Sequence, residues 1–137
     1  MVYVLDASFV GAQIIPDEKN PNVYLMYSKI KRDDEKYAPH LLWYEIANIF
    51  FNLIRRKRYT YGKVTQFFPL LDAMCIKCDF ASDITYSKKL LQLCNDYSIS
   101  SYDAAYLELA GRKNAVLCTL DEGLRSAARK YGVTVIR

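Results

Sequence analysis

The residues best placed to do chemistry are four carboxylates: Asp6, Glu45, Asp103 and Asp121. Asp6 directly follows an apolar stretch, Val2–Leu5, and Asp121 comes shortly after a second one, Ala115–Cys118. Both stretches are typical of buried strands in a parallel sheet, and ligands bind at the carboxyl edge of such sheets. Glu45 and Asp103 lie in apolar helical contexts, where an unpaired acid is costly. Because no comparably placed lysine or arginine accompanies them, the set suits a hard divalent cation such as Mg²⁺ or Mn²⁺.

Each acid also has a purely structural interpretation when it is taken singly. Asp6 and Asp121 can act as N-caps of the helices that follow them. Glu45 falls in the predicted first turn of a long helix, where the helix dipole favours any acid. Asp103 can complete a capping box with Ser100. The convergence of all four on one edge is what favours a shared site.

Strands alternate with helices along the chain, which predicts a three-layer α/β/α sandwich around a central parallel sheet of four to five strands. The strands are predicted at Val2–Leu5, Pro39–Leu41 (as an edge strand), Met74–Phe80, Ala115–Cys118 and Val133–Ile136. The helices are predicted at Ser8–Ile15, Val23–Lys36, Leu42–Arg56, Lys63–Ala73, from an N-cap at Ser82 to Tyr97, from a cap at Ser100 or Ser101 to Arg112, and at Glu122–Tyr131. Residues 1–137 are interpreted as a single domain.

The helix predicted at 42–56 is apolar nearly all the way round, so we expect it to be buried on more than one side, in the core or against a partner. The apolar run Leu41–Ile54 is too short to span a bilayer, and no signal peptide is evident. We therefore expect a soluble cytoplasmic protein that does not bind membranes. Its net charge of +4 is compatible with a polyanionic substrate, and its twelve tyrosines can serve a core, a partner surface or base stacking.

The cysteine spacing Cys75-x-x-Cys78 is that of a metal site, but no second pair completes it and His40 is the only histidine. Buried, reduced thiols are the favoured interpretation.

The ordered motifs resemble those of the PIN-domain ribonucleases, and among them the VapC toxins of toxin–antitoxin pairs. The matching pieces are Leu5-Asp6-Ala7-Ser8, Glu45-Ile46-Ala47-Asn48, Asp103-Ala104-Ala105-Tyr106-Leu107-Glu108-Leu109-Ala110 and Thr119-Leu120-Asp121. The resemblance implies a PIN-like fold and makes the four acids the catalytic, metal-binding quartet. It also implies that Ser8, Asn48 and Thr119 orient those acids and water.

The same resemblance implies the reaction, which is metal-dependent hydrolysis of phosphodiester bonds in single-stranded or looped RNA, tRNA among them. It further implies regulation by a VapB-like antitoxin that covers the acidic cleft. A homodimer is expected from the apolar helix. Arg55, Arg56 and Arg58 form a basic run that is a candidate RNA contact, although cations at a helix C-terminus are also expected from the dipole. At 1.5 Å per residue, Arg55 lies about 15 Å from Glu45 and so can only hold a distant part of the RNA.

Two other classes of function remain open. One is a non-catalytic PIN-like module that binds protein or RNA. The other is a different Mg²⁺-dependent phosphoryl-transfer α/β domain. A phospho-aspartate receiver would need paired acids after the first strand and a late lysine. A haloacid-dehalogenase-type phosphatase would need an aspartate where Ser8 stands.

Overall fold

A four-stranded parallel sheet organises the chain, and the computed structural model describes residues 1–137. The strands are β1 (Val2–Leu5), β2 (Glu35–Pro39), β3 (Lys77–Asp79) and β4 (Val116–Cys118). Their order in the sheet is β3-β2-β1-β4, so the chain moves outwards from β1 through β2 to β3 and then returns to the other side of β1. The strand order therefore reverses between β1 and β4, and ligands bind at this kind of switch point in open α/β sheets.

Eight α-helices cover the sheet: α1 (Ala7–Ile14), α2 (Pro21–Ser28), α3 (Leu41–Arg55), α4 (Tyr61–Thr65), α5 (Phe68–Ala73), α6 (Ile84–Tyr97), α7 (Ser101–Arg112) and α8 (Glu122–Tyr131). A short 3₁₀ helix, Pro16–Glu18, separates α1 from α2. Helix α7 contacts β1, β2 and β4 and also packs against α6 and α8, whereas α1 packs against α2, α3 and α5. The predicted parallel α/β sandwich is confirmed. None of the helices combines the length and the apolar character needed to cross a bilayer.

The structure differs most from the sequence prediction in the charged segment that leads into β2. The helix predicted at Val23–Lys36 ends at Ser28, and Glu35–Pro39 forms an internal strand in place of the predicted edge strand at Pro39–Leu41. Lys36 is only 7% exposed, yet its Nζ donates a hydrogen bond to the carbonyl of Asp34 at 3.1 Å. A lysine can thus lie in an internal strand because its aliphatic stem is buried while its ammonium reaches a polar partner.

Other predicted boundaries were also wrong. The single helix predicted at Lys63–Ala73 is two helices, α4 and α5, with Pro69 in the first turn of α5, where its missing N–H costs nothing. The strand predicted at Met74–Phe80 shortens to β3. Helix α6 is capped by Asp83, not Ser82, and the last predicted strand is reduced to one bridge between Val135 and Leu117.

Within the chain, helix α3 is buried on one side only. The expectation that the core alone covers its apolar surface is therefore wrong. A single stripe faces the core, made of Leu42, Ile46, Phe50 and Leu53. On the remaining surface Tyr44 is 74% exposed and Phe51 is 57% exposed, and Trp43 is also exposed. The apolar surplus of this helix therefore lies on the protein surface.

Candidate active site

Asp6 lies at the switch point, at the end of β1. Its backbone N–H continues the pairing with β4 by donating to the carbonyl of Cys118 at 3.0 Å. Its carboxylate caps α1 by accepting from the N–H of Phe9 at 2.9 Å. The same carboxylate accepts a hydrogen bond from the Ser8 hydroxyl at 2.7 Å and another from the Thr119 hydroxyl. Asp6 is only 6% exposed, so these three donors hold a nearly buried acid in one orientation.

Ser8 and Thr119 connect the loop after β1 to the loop after β4. The Ser8 hydroxyl accepts from the N–H of Leu120 at 3.0 Å, and the Thr119 hydroxyl accepts from the N–H of Asp121 at 3.0 Å. Because each hydroxyl also donates to Asp6, the two loops are fixed relative to each other. Asn48, in contrast, is exposed and makes no side-chain hydrogen bond, although it follows Glu45 by three residues on α3 and so lies near it on the helix surface.

Asp121 lies at the carboxyl edge beside β4 and caps α8 by accepting from the N–H of Leu124 at 2.7 Å. Asp121 therefore does act as an N-cap, as its position predicts, and so does Asp6. The turn that carries it is braced by Arg125, whose guanidinium donates to the carbonyl of Thr119 at 3.0 Å. Arg125 was not singled out in the sequence, because its contact is with a backbone carbonyl that only the fold brings near.

Glu45 and Asp103 are supplied by two different helices, α3 and α7. Glu45 lies one turn into α3 rather than in its first turn, because this helix begins at Leu41. Asp103 lies in the first turn of α7, and its N–H donates to the Ser100 hydroxyl at 3.1 Å. The Ser100 half of the predicted capping box is thus formed, but no helix N–H bonds the Asp103 carboxylate.

Tyr106 is a residue of this site that sequence reasoning did not assign to it. Its hydroxyl donates to Oε1 of Glu45 at 2.7 Å, across 61 residues of sequence. The signal was present, because Tyr106 follows Asp103 by three residues and so lies on the same face of α7. The side chain is 2% exposed, and a buried tyrosine hydroxyl usually finds a partner.

The electrostatics of the acids follow from burial and from their mutual repulsion. Burial raises the pKa of Asp6, the pKa of Glu45 and the pKa of Asp103 above their ordinary values. Hydrogen bonds from Thr119, Phe9 and Ser8 oppose this rise in the pKa of Asp6.

The charges of the acids add to the effect of burial. Asp103 raises the pKa of Asp6 and that of Glu45, Asp6 also raises the pKa of Glu45, and Asp121 raises the pKa of Asp103. None of the four takes part in an ion pair, although seven ion pairs involve acids elsewhere in the chain. The edge therefore concentrates negative charge that no protein cation neutralises.

The donor set fits a hard divalent cation in its chemistry, since it consists of carboxylate oxygens without cationic partners. In the geometry of the structure, however, no three histidine, cysteine, aspartate or glutamate side chains are gathered closely enough to hold one ion. The carboxylates thus share one edge and influence one another electrostatically without forming a closed coordination cage.

The three arginines of the basic run have different environments. Arg58 forms ion pairs with Asp17 at 2.6 Å and with Glu18 at 3.3 Å, and so ties the 3₁₀ helix to the end of α3. Arg55 donates to the side chain of Asn52 on its own helix. Arg56 is exposed and makes no side-chain hydrogen bond.

All four cysteines are free, as expected, but only Cys118 is buried, and the expectation of buried thiols was wrong for the others.

Solved structures share this fold over the length of the chain. PAE2754 from Pyrobaculum aerophilum is 20% identical with a TM-score of 0.72, and the match covers 98% of this chain and 83% of that one. VapBC-1 from nontypeable Haemophilus influenzae is 14% identical with a TM-score of 0.66, covering 98% and 96%. FitAcB from Neisseria gonorrhoeae is 15% identical with a TM-score of 0.65, covering 100% and 97%.

No protein-family model matches the sequence, and no curated protein matches it significantly. At such low identities the structural likeness shows the fold, and the chain has the PIN-like α/β fold that its motifs predict.

Proposed function

We propose that the protein is a Mg²⁺- or Mn²⁺-dependent endoribonuclease whose catalytic and metal-binding residues are Asp6, Glu45, Asp103 and Asp121. One observation carries the proposal. Asp6 and Asp121 follow the two strands at the switch point, Glu45 and Asp103 lie near enough to interact electrostatically with them, and no cationic side chain pairs with any of the four. Three of these acids have a raised pKa, so bringing them together opposes folding unless a cation compensates for their charge.

The residues around the acids have separate tasks in this proposal. Ser8 and Thr119 hold the Asp6 carboxylate and also fix the loop that carries Asp121. Glu45 and Asp103 approach from two different helices, so the substrate phosphate would lie between α3 and α7. A divalent cation bound by the acids would lower the pKa of a water molecule and neutralise the charge that develops on the phosphate.

The RNA substrate and the toxin role rest on the resemblance to the VapC toxins. The same resemblance makes tRNA one of the candidate substrates. Two solved structures of the same fold carry the names VapBC-1 and FitAcB, which agrees with that resemblance. We therefore propose a cytoplasmic toxin of a type II pair, with a VapB-like antitoxin as its partner. Arg55 and Arg56 are the candidate contacts for distant RNA phosphates, since Arg58 is already paired with acids.

Association is the second part of the proposal. Trp43, Tyr44 and Phe51 leave an apolar surface on α3, and Phe68 adds to the exposed aromatic side chains. Exposed apolar patches of this kind mark interaction sites. We propose that this face is buried in a homodimer.

One observation favours the alternative of a non-catalytic module. No three of the candidate ligands are gathered closely enough to hold an ion, as a preformed metal site would require. The two functions differ in their dependence on metal, which a single experiment can measure.

The experiment is to incubate the purified protein with total RNA in Mg²⁺, in Mn²⁺ and in EDTA. Wild type should cleave RNA only with metal, and Asp6→Asn should lose cleavage while it remains folded, because asparagine also serves as an N-cap. Asp83→Asn is the matched control, since Asp83 caps α6 in the same way outside the four acids. Undiminished cleavage in EDTA, or by Asp6→Asn, would refute the proposal.

A further inference from the structure

Tyr106 combines a core ring with a single polar contact. The ring belongs to the hydrophobic core, and the side chain is 2% exposed. Its hydroxyl has one hydrogen-bond partner, Oε1 of Glu45, at 2.7 Å. A phenylalanine would fill the same volume without a polar atom to satisfy, so packing alone gives no reason for the hydroxyl.

The Glu45 carboxylate is held by this hydrogen bond alone, whereas the Asp6 carboxylate is held by several. Asp6 receives three hydrogen bonds, two from hydroxyls and one from a backbone N–H. Glu45 receives only the one from Tyr106, and its longer side chain has more rotatable bonds to restrain. With Oε1 held in this way, Oε2 accepts no hydrogen bond from the protein and is left for another partner.

The contact also links the two helices that supply acids. Tyr106 and Asp103 are three residues apart on α7, and Glu45 is on α3. The Tyr106 hydroxyl donates to Oε1 of Glu45 at 2.7 Å, so its proton points towards α3. The hydroxyl is therefore in a position to fix Glu45 relative to Asp103.

We infer that Tyr106 is a positioning residue, which holds the Glu45 carboxylate through one oxygen so that its other oxygen is free to bind a divalent cation. This inference rests on the proposed metal-dependent function. Partners that orient a metal ligand in this way typically contribute 10- to 100-fold to metal affinity.

The test measures Mn²⁺ binding to the RNA-free protein, by electron paramagnetic resonance of the free ion, for wild type and Tyr106→Phe. We expect about tenfold weaker binding in Tyr106→Phe. Tyr97→Phe is the matched control, because the Tyr97 ring packs against Tyr131 and none of the acids touches its hydroxyl. Near-ultraviolet circular dichroism checks that each variant has native packing.

A double-mutant cycle with Glu45→Gln separates positioning from a general structural effect. If Tyr106 acts through Glu45, adding Tyr106→Phe to Glu45→Gln should weaken Mn²⁺ binding by much less than tenfold. In turnover, saturating Mn²⁺ should restore most of the kcat of Tyr106→Phe, and KM for RNA should not change.

The outcomes distinguish this inference from the proposed function. Equal Mn²⁺ affinity of wild type and Tyr106→Phe, or additive effects in the cycle, would overturn the role of Tyr106 and leave the ribonuclease proposal standing. A wild type that cleaves no RNA and binds no Mn²⁺ would overturn both.

Discussion

The acidic cluster should destabilise the metal-free protein, and Asp103→Asn is the most direct way to measure this. Asp103 is half-buried, its pKa is raised by burial and by the charge of Asp121, and its carboxylate caps no helix. Asparagine keeps the shape of the side chain and removes the charge. We expect Asp103→Asn to raise the free energy of unfolding of the metal-free protein by about 1 kcal/mol, as is usual when a strained functional site is relaxed.

The corresponding melting temperatures follow from the length of the chain. With an unfolding entropy of about 2.1 cal/mol/K per residue, 137 residues give about 0.29 kcal/mol/K, so 1 kcal/mol shifts Tm by about 3.5 °C. A cation at 100 times its Kd stabilises the folded state by about 2.7 kcal/mol, or roughly 9 °C. Wild type should therefore gain about 9 °C in Mn²⁺, whereas Asp103→Asn should start higher and gain clearly less.

The pH dependence of the metal-free protein has a definite sign. A carboxyl group whose folded pKa lies above its unfolded value carries no folding penalty below the unfolded pKa, which is about 4 for aspartate and glutamate. The penalty then grows as the pH rises through the folded pKa. Because the pKa values of Asp6, Glu45 and Asp103 are all raised, their contribution to stability should fall as the pH rises across that window.

Thermal unfolding followed by circular dichroism measures the stability change in Asp103→Asn, the rise in Tm with Mn²⁺ and the dependence of stability on pH. It is carried out with and without Mn²⁺ and over a series of pH values. Asp83→Asn serves as the control, since it removes one negative charge from a helix cap outside the four acids. If wild type shows no rise in Tm with Mn²⁺, and Asp103→Asn is simply less stable than wild type, then the reasoning is wrong and these acids have structural roles only.

Three further predictions concern the basic run, the exposed face of α3 and the contact between α7 and α8. Replacing Arg55 and Arg56 by glutamine should raise KM for RNA, leave kcat nearly unchanged and flatten the dependence of binding on salt, and an unchanged salt slope would exclude them from the RNA contact. Phe51→Asp should shift the protein towards monomers in light scattering, while a wild type that is already monomeric at high concentration would contradict the proposed dimer. Gly111→Ala should lower stability by about 1 kcal/mol in chemical denaturation, because overpacking costs about 1–3 kcal/mol and the helical preference of alanine recovers about 1. The new Cβ would lie 2.8 Å from Cε1 of Tyr131, so Tyr131→Ala should remove the penalty.

Local signals predicted most of the elements, and they placed Asp6 and Asp121 at the ends of β1 and β4, where the structure has them. The apolar stretch before Asp6 is β1, and the Ser100 cap and the stop of α8 at Gly132 lie where local rules place them, with φ of +90° at that glycine. These features depend on a few neighbouring residues, which is why sequence alone was enough to find them.

The errors arose where tertiary contacts outweigh local preference. The charged run from Lys31 to Lys36 favours a solvated helix end, yet Lys36 is buried in the internal strand β2 because the sheet provides a place for its stem and a carbonyl for its ammonium. Tyr106 illustrates the same limit at the site. Its position beside Asp103 on α7 follows from their spacing, but its contact with Glu45, over 61 residues of sequence, is made by the fold.

Helix capping accounts for two of the four acids and leaves the other two without a structural explanation. Asp6 and Asp121 both accept hydrogen bonds from helix N–H groups, so each would be useful in a protein with no active site. The carboxylates of Glu45 and Asp103 cap no helix. At Asp103 only the backbone N–H takes part in a cap, by donating to the Ser100 hydroxyl. Both of these acids are partly buried, have a raised pKa and have no cationic neighbour, so they oppose folding in the metal-free chain. A bound cation would remove that cost for Glu45 and Asp103 together, and for this reason the behaviour of these two residues, more than that of the caps, decides between a metal site and a structural cluster.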